Sequence, residues 1–121
     1  MAKLKLSRKF AARDRLIRNQ MSSLILFEKV ITTLPKARAL KSEAEKLVSK
    51  INSSNEKFNL VRDLAKVLYG GSVSKAIDTK GTFVSVSMVK LDTRFGDGAK
   101  RAMVMLNKKV EKEPKSPKVT K

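Results

Sequence analysis

Apolar residues recur at three- and four-residue spacing from about Ala12 onward: Leu16, Ile17, Met21, Leu24 and Ile25. That period places them on one face of a helix. The pattern changes at Val30–Thr33, four β-branched residues that are stiff at χ1 and favour extended backbone. Pro35 suits the first turn of a second helix, where its missing N–H costs nothing, and Thr33 is placed to cap it. Ala37, Leu40, Ala44, Leu47, Val48 and Ile51 give that helix, Pro35 to Ile51, a clean apolar stripe. Asn52–Asn55 reads as a loop. Within it, Ser53 and Glu56 have capping-box spacing for a third helix. Phe58, Val61, Leu64, Ala65 and Leu68 are its expected buried face, and Gly70-Gly71 its stop. Ser72–Lys80 fits either a short helical turn around Val73–Ile77 or a loop.

The period then drops to two. Thr82–Leu91 sets Val84, Val86 and Met88 against Ser85 and Ser87. Ala99–Asn107 sets Ala102, Val104 and Leu106 against Arg101, Met103 and Met105. Both are half-buried strands. Asp92–Gly98 between them has turn chemistry, so they form an antiparallel hairpin. Its Gly96-Asp97-Gly98 is too short for a phosphate cradle and leads into a strand, not a helix. Val30–Thr33 is free to pair with the hairpin. The expected fold is therefore α+β, with about three helices packed on a small antiparallel sheet. That sheet is the C-terminal hairpin plus a short strand after the first helix. Residues 1–11 show no helical period and read as a basic N-terminal arm. Residues 12–107 form one globular α+β domain. Residues 108–121, with two prolines and no period, read as a disordered basic tail.

Charge changes this picture most. The 121 residues carry 28 Lys+Arg against 11 Asp+Glu, a net +17. A surplus of that size opposes compaction unless a polyanion neutralises it, which makes nucleic acid the first partner to consider. The ends are densest: residues 1–18 hold seven basic side chains and one acid, and residues 108–121 hold six and two. Asp14 is the only acid in the first 27 residues. Lys36 and Arg38 sit in the first turn of the second helix, with Lys41 one turn beyond Arg38. Cations there oppose the helix macrodipole, and phosphate binding would supply the missing gain.

Other chemistries are bounded by what is lacking. Without Cys or His there are no disulfides, thiolate nucleophiles, imidazole bases or Cys/His metal sites. No close acidic pair exists beyond Glu43 and Glu45, which read as surface. We expect no enzyme, no cofactor and no small-molecule substrate. The longest apolar run, Ala102–Leu106, is too short for a membrane span or a signal segment, so no membrane insertion is expected. The five Met residues read as gap-fillers. Six aromatics make base stacking a minor mode.

Thr32-Thr33-Leu34-Pro35-Lys36-Ala37-Arg38, followed by Leu40-Lys41, resembles the signature of the bacterial large-subunit ribosomal protein seventeen family. Upstream, Lys5-Leu6-Ser7-Arg8, Arg13, Leu16, Arg18-Asn19, Leu24-Ile25 and Glu28 match the same pattern. Downstream, Lys90-Leu91, Arg94, Gly96-Asp97, Ala99, Ala102 and Leu106 resemble the family's closing hairpin. Ala12 stands where the family has His, Ser7 where it has Gly, and Phe83–Met88 where it has Gly-Gly-Tyr-Thr-Arg-Ile. Contacts made by that Arg or Tyr do not transfer. The resemblance implies a structural component of the large ribosomal subunit, bound to large-subunit rRNA near the peptide exit tunnel and beside neighbouring large-subunit proteins. The expected setting is a bacterial, cytoplasmic ribosome, with an organellar ribosome as the alternative. The candidate RNA-binding residues are Lys5, Arg8, Lys9, Arg13, Arg15, Arg18, Lys36, Arg38, Lys41 and Arg94. A free-standing basic DNA-binding or nucleoid-associated protein is the rival reading. It predicts comparable affinity for duplex DNA and folded RNA.

Overall fold

The computed structural model describes residues 4–109. The elements run α1 (Phe10–Phe27), β1 (Lys29–Thr33), α2 (Leu34–Ser53), α3 (Lys57–Val67), α4 (Gly71–Asp78), β2 (Phe83–Leu91) and β3 (Arg101–Lys108). The fold is α+β, as the patterning predicts. Among the described residues it has four helices rather than three, because the open segment after Gly70 folds as α4. One antiparallel sheet has the order β1-β3-β2. At the bounds of the expected arm and tail, α1 begins two residues ahead of Ala12, Lys108 closes β3, and the expected tail from residue 110 on lies outside the described residues.

Helix α1 passes into β1 through a single residue. Glu28 sits in the left-handed region at φ 65°, and its N–H bonds back to Leu24 O at 2.7 Å. A side chain there costs roughly 1–2 kcal/mol. The position is held by its surroundings: Glu28 O accepts from Leu106 N–H at 3.0 Å, and its carboxylate meets Lys108 Nζ at 3.2 Å. β1 then pairs with β3 in the register Lys29↔Met105 through Thr33↔Arg101. α2 follows without a loop. Thr33 occupies its N-cap position but makes no side-chain cap bond. The expected cap bond is absent, Pro35 at the second helical position having no N–H to give it, and Leu34 N–H instead goes to Lys100 O at 2.9 Å, extending the sheet ladder into the helix.

Three sequence expectations change. The Ser53–Glu56 capping box does not form, because α2 runs on through Ser53 and Glu56 is itself the N-cap of α3. The Glu56 carboxylate instead accepts from the Asn59 side chain. The buried face of α3 is Leu60 and Leu64, continued by Leu68, with Phe58 68% exposed. Leu64 and Leu68 are buried as expected, whereas packing puts Leu60 inward in place of Phe58, Val61 and Ala65. In β2, Phe83 and Val86 are buried while Val84 is exposed. A bulge between Phe83 and Ser85 leaves Val84 without a cross-strand partner and resets the alternation.

The core lies between the helices and one face of the sheet. Leu24, Ile25, Leu40, Leu64, Leu68 and Val104 are almost wholly buried, and the complete predicted stripe of α2 joins them. Ala102, Val104 and Leu106 supply the floor from β3, as alternation predicts. The opposite sheet face carries Ile31 and Val89, both exposed. Replacing Leu60 by Ala should cost about 2–5 kcal/mol in denaturant unfolding. Phe58→Ala, with only its stacking on Arg62 to lose, should cost under about 1 kcal/mol. Equal losses would contradict the observed phase of α3.

Candidate nucleic-acid interface

One side-chain bond fixes where the cations lie. Gln20 Nε2 donates to Thr32 Oγ1 at 3.1 Å, joining the middle of α1 to the end of β1. β1 therefore doubles back along α1. The end of β1, the start of α2 and the first half of α1 are left at one end of the molecule. The ladder Thr33↔Arg101 and Leu91↔Arg101 brings the base of the β2–β3 hairpin to the same end. Arg13 in α1 and Lys9 just before it, Lys36 and Arg38 from α2, and Lys90, Lys100 and Arg101 from the hairpin thus lie towards the same end, from three separate stretches of chain. Neither α1 nor α2 has an acid in its first turn. Each helix start therefore carries cations against its own dipole, at some tenths of a kcal/mol apiece.

Most acids sit elsewhere or are already engaged, the exceptions at this end being Asp14, between Arg13 and Arg15, and Asp92 in the hairpin-base groove. Glu28 pairs with Lys108 at the far end of β1, Glu43 with Lys46 at 3.6 Å, and Asp63 with Lys50 at 3.4 Å. Lys41, one of the predicted ligands, lies 3.8 Å from Glu45 in an exposed pair, which holds it only weakly. Lys5, Arg8, Lys9, Arg15 and Arg38 are exposed, and Lys36 is half-buried. Arg13 lies over the Phe10 ring at 5.6 Å. Arg13 and Arg15, two residues apart, project about 160° from one another on α1, and Lys36 and Arg38 do the same on α2, so each helix start presents cations on two sides.

Two predicted ligands are committed to the fold. Arg18 donates through Nη2 to Ala65 O at 2.8 Å and Leu68 O at 3.2 Å, and stacks on Tyr69 at 4.2 Å. It satisfies the open carbonyl end of α3, which explains why a cation sits on the buried side of α1. Ser22 completes that junction by accepting from Tyr69 N–H at 3.0 Å. Arg94 is tied across the hairpin tip. Its Nε donates to Asp97 Oδ1 at 2.9 Å, and its Nη2 donates to Asp97 Oδ2. Asp97 Oδ1 also accepts from Ala99 N–H at 3.1 Å. The Arg94 hydrogen bond, then the Ala99 N–H, hold the Asp97 carboxyl well below the usual carboxylate range and raise Arg94 in turn.

Three cations that sequence reasoning passes over complete the surface. Lys90, Lys100 and Arg101 line an open groove with Leu91, Asp92 and Thr93 at the hairpin base. Arg101 Nε is anchored on Asp92 O at 3.2 Å. Only the strand register signals them, since nothing in their local sequence separates them from other surface cations. The start of α2 offers fewer backbone donors to an anion than its sequence suggests, because Leu34 N–H is used and Pro35 has none. Side chains must do most of the binding there. Among the described residues no group of three or more acids stands where it would hold a metal, and no helix is long and apolar enough to cross a membrane.

A family model for Ribosomal protein L17 matches residues 16–107. The chain is 34% identical to Large ribosomal subunit protein bL17 of Chloroherpeton thalassium, over 84% of this chain and 63% of that protein. It therefore spans a little under two-thirds of that relative's length. It is 36% identical to the protein of the same name in Coprothermobacter proteolyticus, over 86% of this chain and 93% of the relative. In Solibacter usitatus the figures are 35%, 88% and 74%.

Arg18→Ala should lower stability by about 1.5–3 kcal/mol, the usual loss for a hydrogen bond to a charged group. Lys should not rescue it, having no planar fork to serve two carbonyls and stack at once. Arg15→Ala should fall within about 0.5 kcal/mol of wild type in the same unfolding experiment. The Asp97 pair makes a second expectation. A carboxyl whose folded value is depressed keeps its pair as pH falls through the ordinary range near 3.8, and loses it only in stronger acid. An NMR titration should find the Asp97 midpoint below that value, rising towards it in Arg94→Ala.

Proposed function

The chain belongs to the Ribosomal protein L17 family, and from that premise we propose that it is a structural component of the large subunit of a bacterial, cytoplasmic ribosome. In this reading it binds large-subunit rRNA through phosphate contacts at its basic end, near the peptide exit tunnel and beside neighbouring large-subunit proteins. It acts by holding RNA in place, not by catalysis. The observation that carries the proposal is the convergence of Lys9 and Arg13, Lys36 and Arg38, and Lys100 and Arg101 on one end of the fold. Each pair comes from a different stretch of chain. Sequence-distant cations meet there against two helix dipoles, an arrangement that costs stability in the free protein and gains it on a polyanion.

Such a surface reads shape and backbone rather than sequence. A-form RNA hides its base edges in a deep, narrow groove, so recognition rests on phosphates and the geometry that sets their spacing. Three rigid elements hold the cations at fixed separations, and this supplies the shape selectivity that a flexible basic tail lacks. Location near the exit tunnel rests on the resemblance carried by Thr32–Lys41.

Sucrose-gradient fractionation should place the chain in large-subunit fractions, and absence from them would overturn the proposal. In vitro, the chain should prefer large-subunit rRNA over duplex DNA, and equal affinities would favour the nucleoid reading. Replacing Lys36, Arg38 and Lys100 by Ala should each flatten the slope of log K against log salt by about 0.7–0.9 for every phosphate left without its cation. Arg18→Ala should leave the slope unchanged.

A further inference from the structure

Phe95 stands at the tip of the β2–β3 hairpin and is fully exposed, at 105% of its reference area. Its loop is held firmly. Arg94 N–H bonds Ala99 O at 2.8 Å, Gly98 N–H bonds Arg94 O at 2.9 Å, and the Arg94–Asp97 pair bridges the tip. Gly98 takes the left-handed turn at φ 68° that such a tight closure needs. A large apolar ring is thus displayed on a braced support, with no packing of its own to explain it.

The other aromatics with exposed rings behave differently. Phe10 lies under Arg13, Phe58 under Arg62 and Tyr69 under Arg18. Each of those π faces is occupied by a cation of the same chain. Phe27 is also exposed, but it ends α1 at the opposite end from the gathered cations. Phe95 alone combines a π face without a cation over it, among the described residues, with a place in the loop that joins the two groove-lining segments, Lys90–Thr93 and Lys100–Arg101. Groove cations that take a backbone, with an aromatic that takes a base, are the two parts of a single-strand binding element. A dry apolar protein pocket would not call for the cations at its rim.

Building on the RNA-binding reading above, we propose that Phe95 stacks on an unpaired base of large-subunit rRNA whose phosphates lie in the Lys90–Lys100–Arg101 groove. Arg94 is then a positioning residue, acting through Asp97 to hold the loop that carries the ring. It is not a phosphate ligand.

The test measures affinity of the full chain for an in vitro transcript of bacterial large-subunit rRNA across a salt series. Phe95→Ala should weaken binding about 5- to 150-fold, the range for losing one base stack, with an unchanged salt slope and an unchanged melting temperature. Phe95→Trp should restore binding, and Phe95→Leu, apolar but without a π face, should not. Wild-type affinity in Phe95→Ala would overturn the proposal. So would full rescue by Leu, or normal rRNA affinity combined with loss from assembled subunits, which would mean that the ring docks on a protein. Failure of the wild-type chain to bind the transcript at all would remove the RNA-binding reading itself, a result distinct from those.

Discussion

The pairing of β1 with β3 is the contact on which the rest depends. Five residues near the start of the chain, Lys29–Thr33, are zipped to Arg101–Met105 near its end. Joining segments some seventy residues apart costs chain entropy, and a five-residue strand repays little of it alone. Burial supplies the remainder. Val104 of β3 is wholly buried, and its partner Val30 packs against the core. The ladder then dictates the neighbours. It aims α2, because Leu34 N–H continues it, and it seats the hairpin base beside the first turn of α2.

Assembly of the basic end is a consequence of that geometry rather than of any local motif. Its cations do not help the isolated chain fold. They repel one another, and at two helix starts they face the wrong pole of the dipole. The core tolerates this because the apolar stripe of α2 and the inward side of β3 are uninterrupted. The cations that do stabilise the protein lie elsewhere. Arg18 closes α3, and Lys75 donates to Leu26 O near the end of α1. The same side-chain chemistry thus serves two ends, and the partner available to each cation decides which.

Much of this is legible in the sequence, and the failures have physical causes. Strong period carries the long elements. The α2 stripe and the Ala102–Val104–Leu106 alternation are reproduced residue for residue. On α3 the expected Leu64 and Leu68 are buried, but Leu60 takes the place expected of Phe58, Val61 and Ala65, because several faces of so short a helix satisfy the period and only tertiary packing distinguishes them. Val84 is misplaced because a bulge adds a residue that alternation cannot anticipate. The candidate surface is half legible. Lys36 and Arg38 announce themselves by defying the dipole, whereas Lys100 and Arg101 become visible only through register. Arg18 and Arg94 look like free cations until their partners, forty-seven and three residues away, are known.

The bulge at Val84 has a consequence beyond side-chain phase. With β3 in the centre, β1 and β2 each have an edge without a strand partner among the described residues, and an unpaired edge is a template for joining another copy of the chain. β1 is only five residues long. β2 is nine residues long and is the greater hazard, but its regular edge is interrupted at Val84, and Lys90 places a charge near its other end. The irregularity that spoils a clean alternation also spoils the edge as a seed for joining copies of the chain.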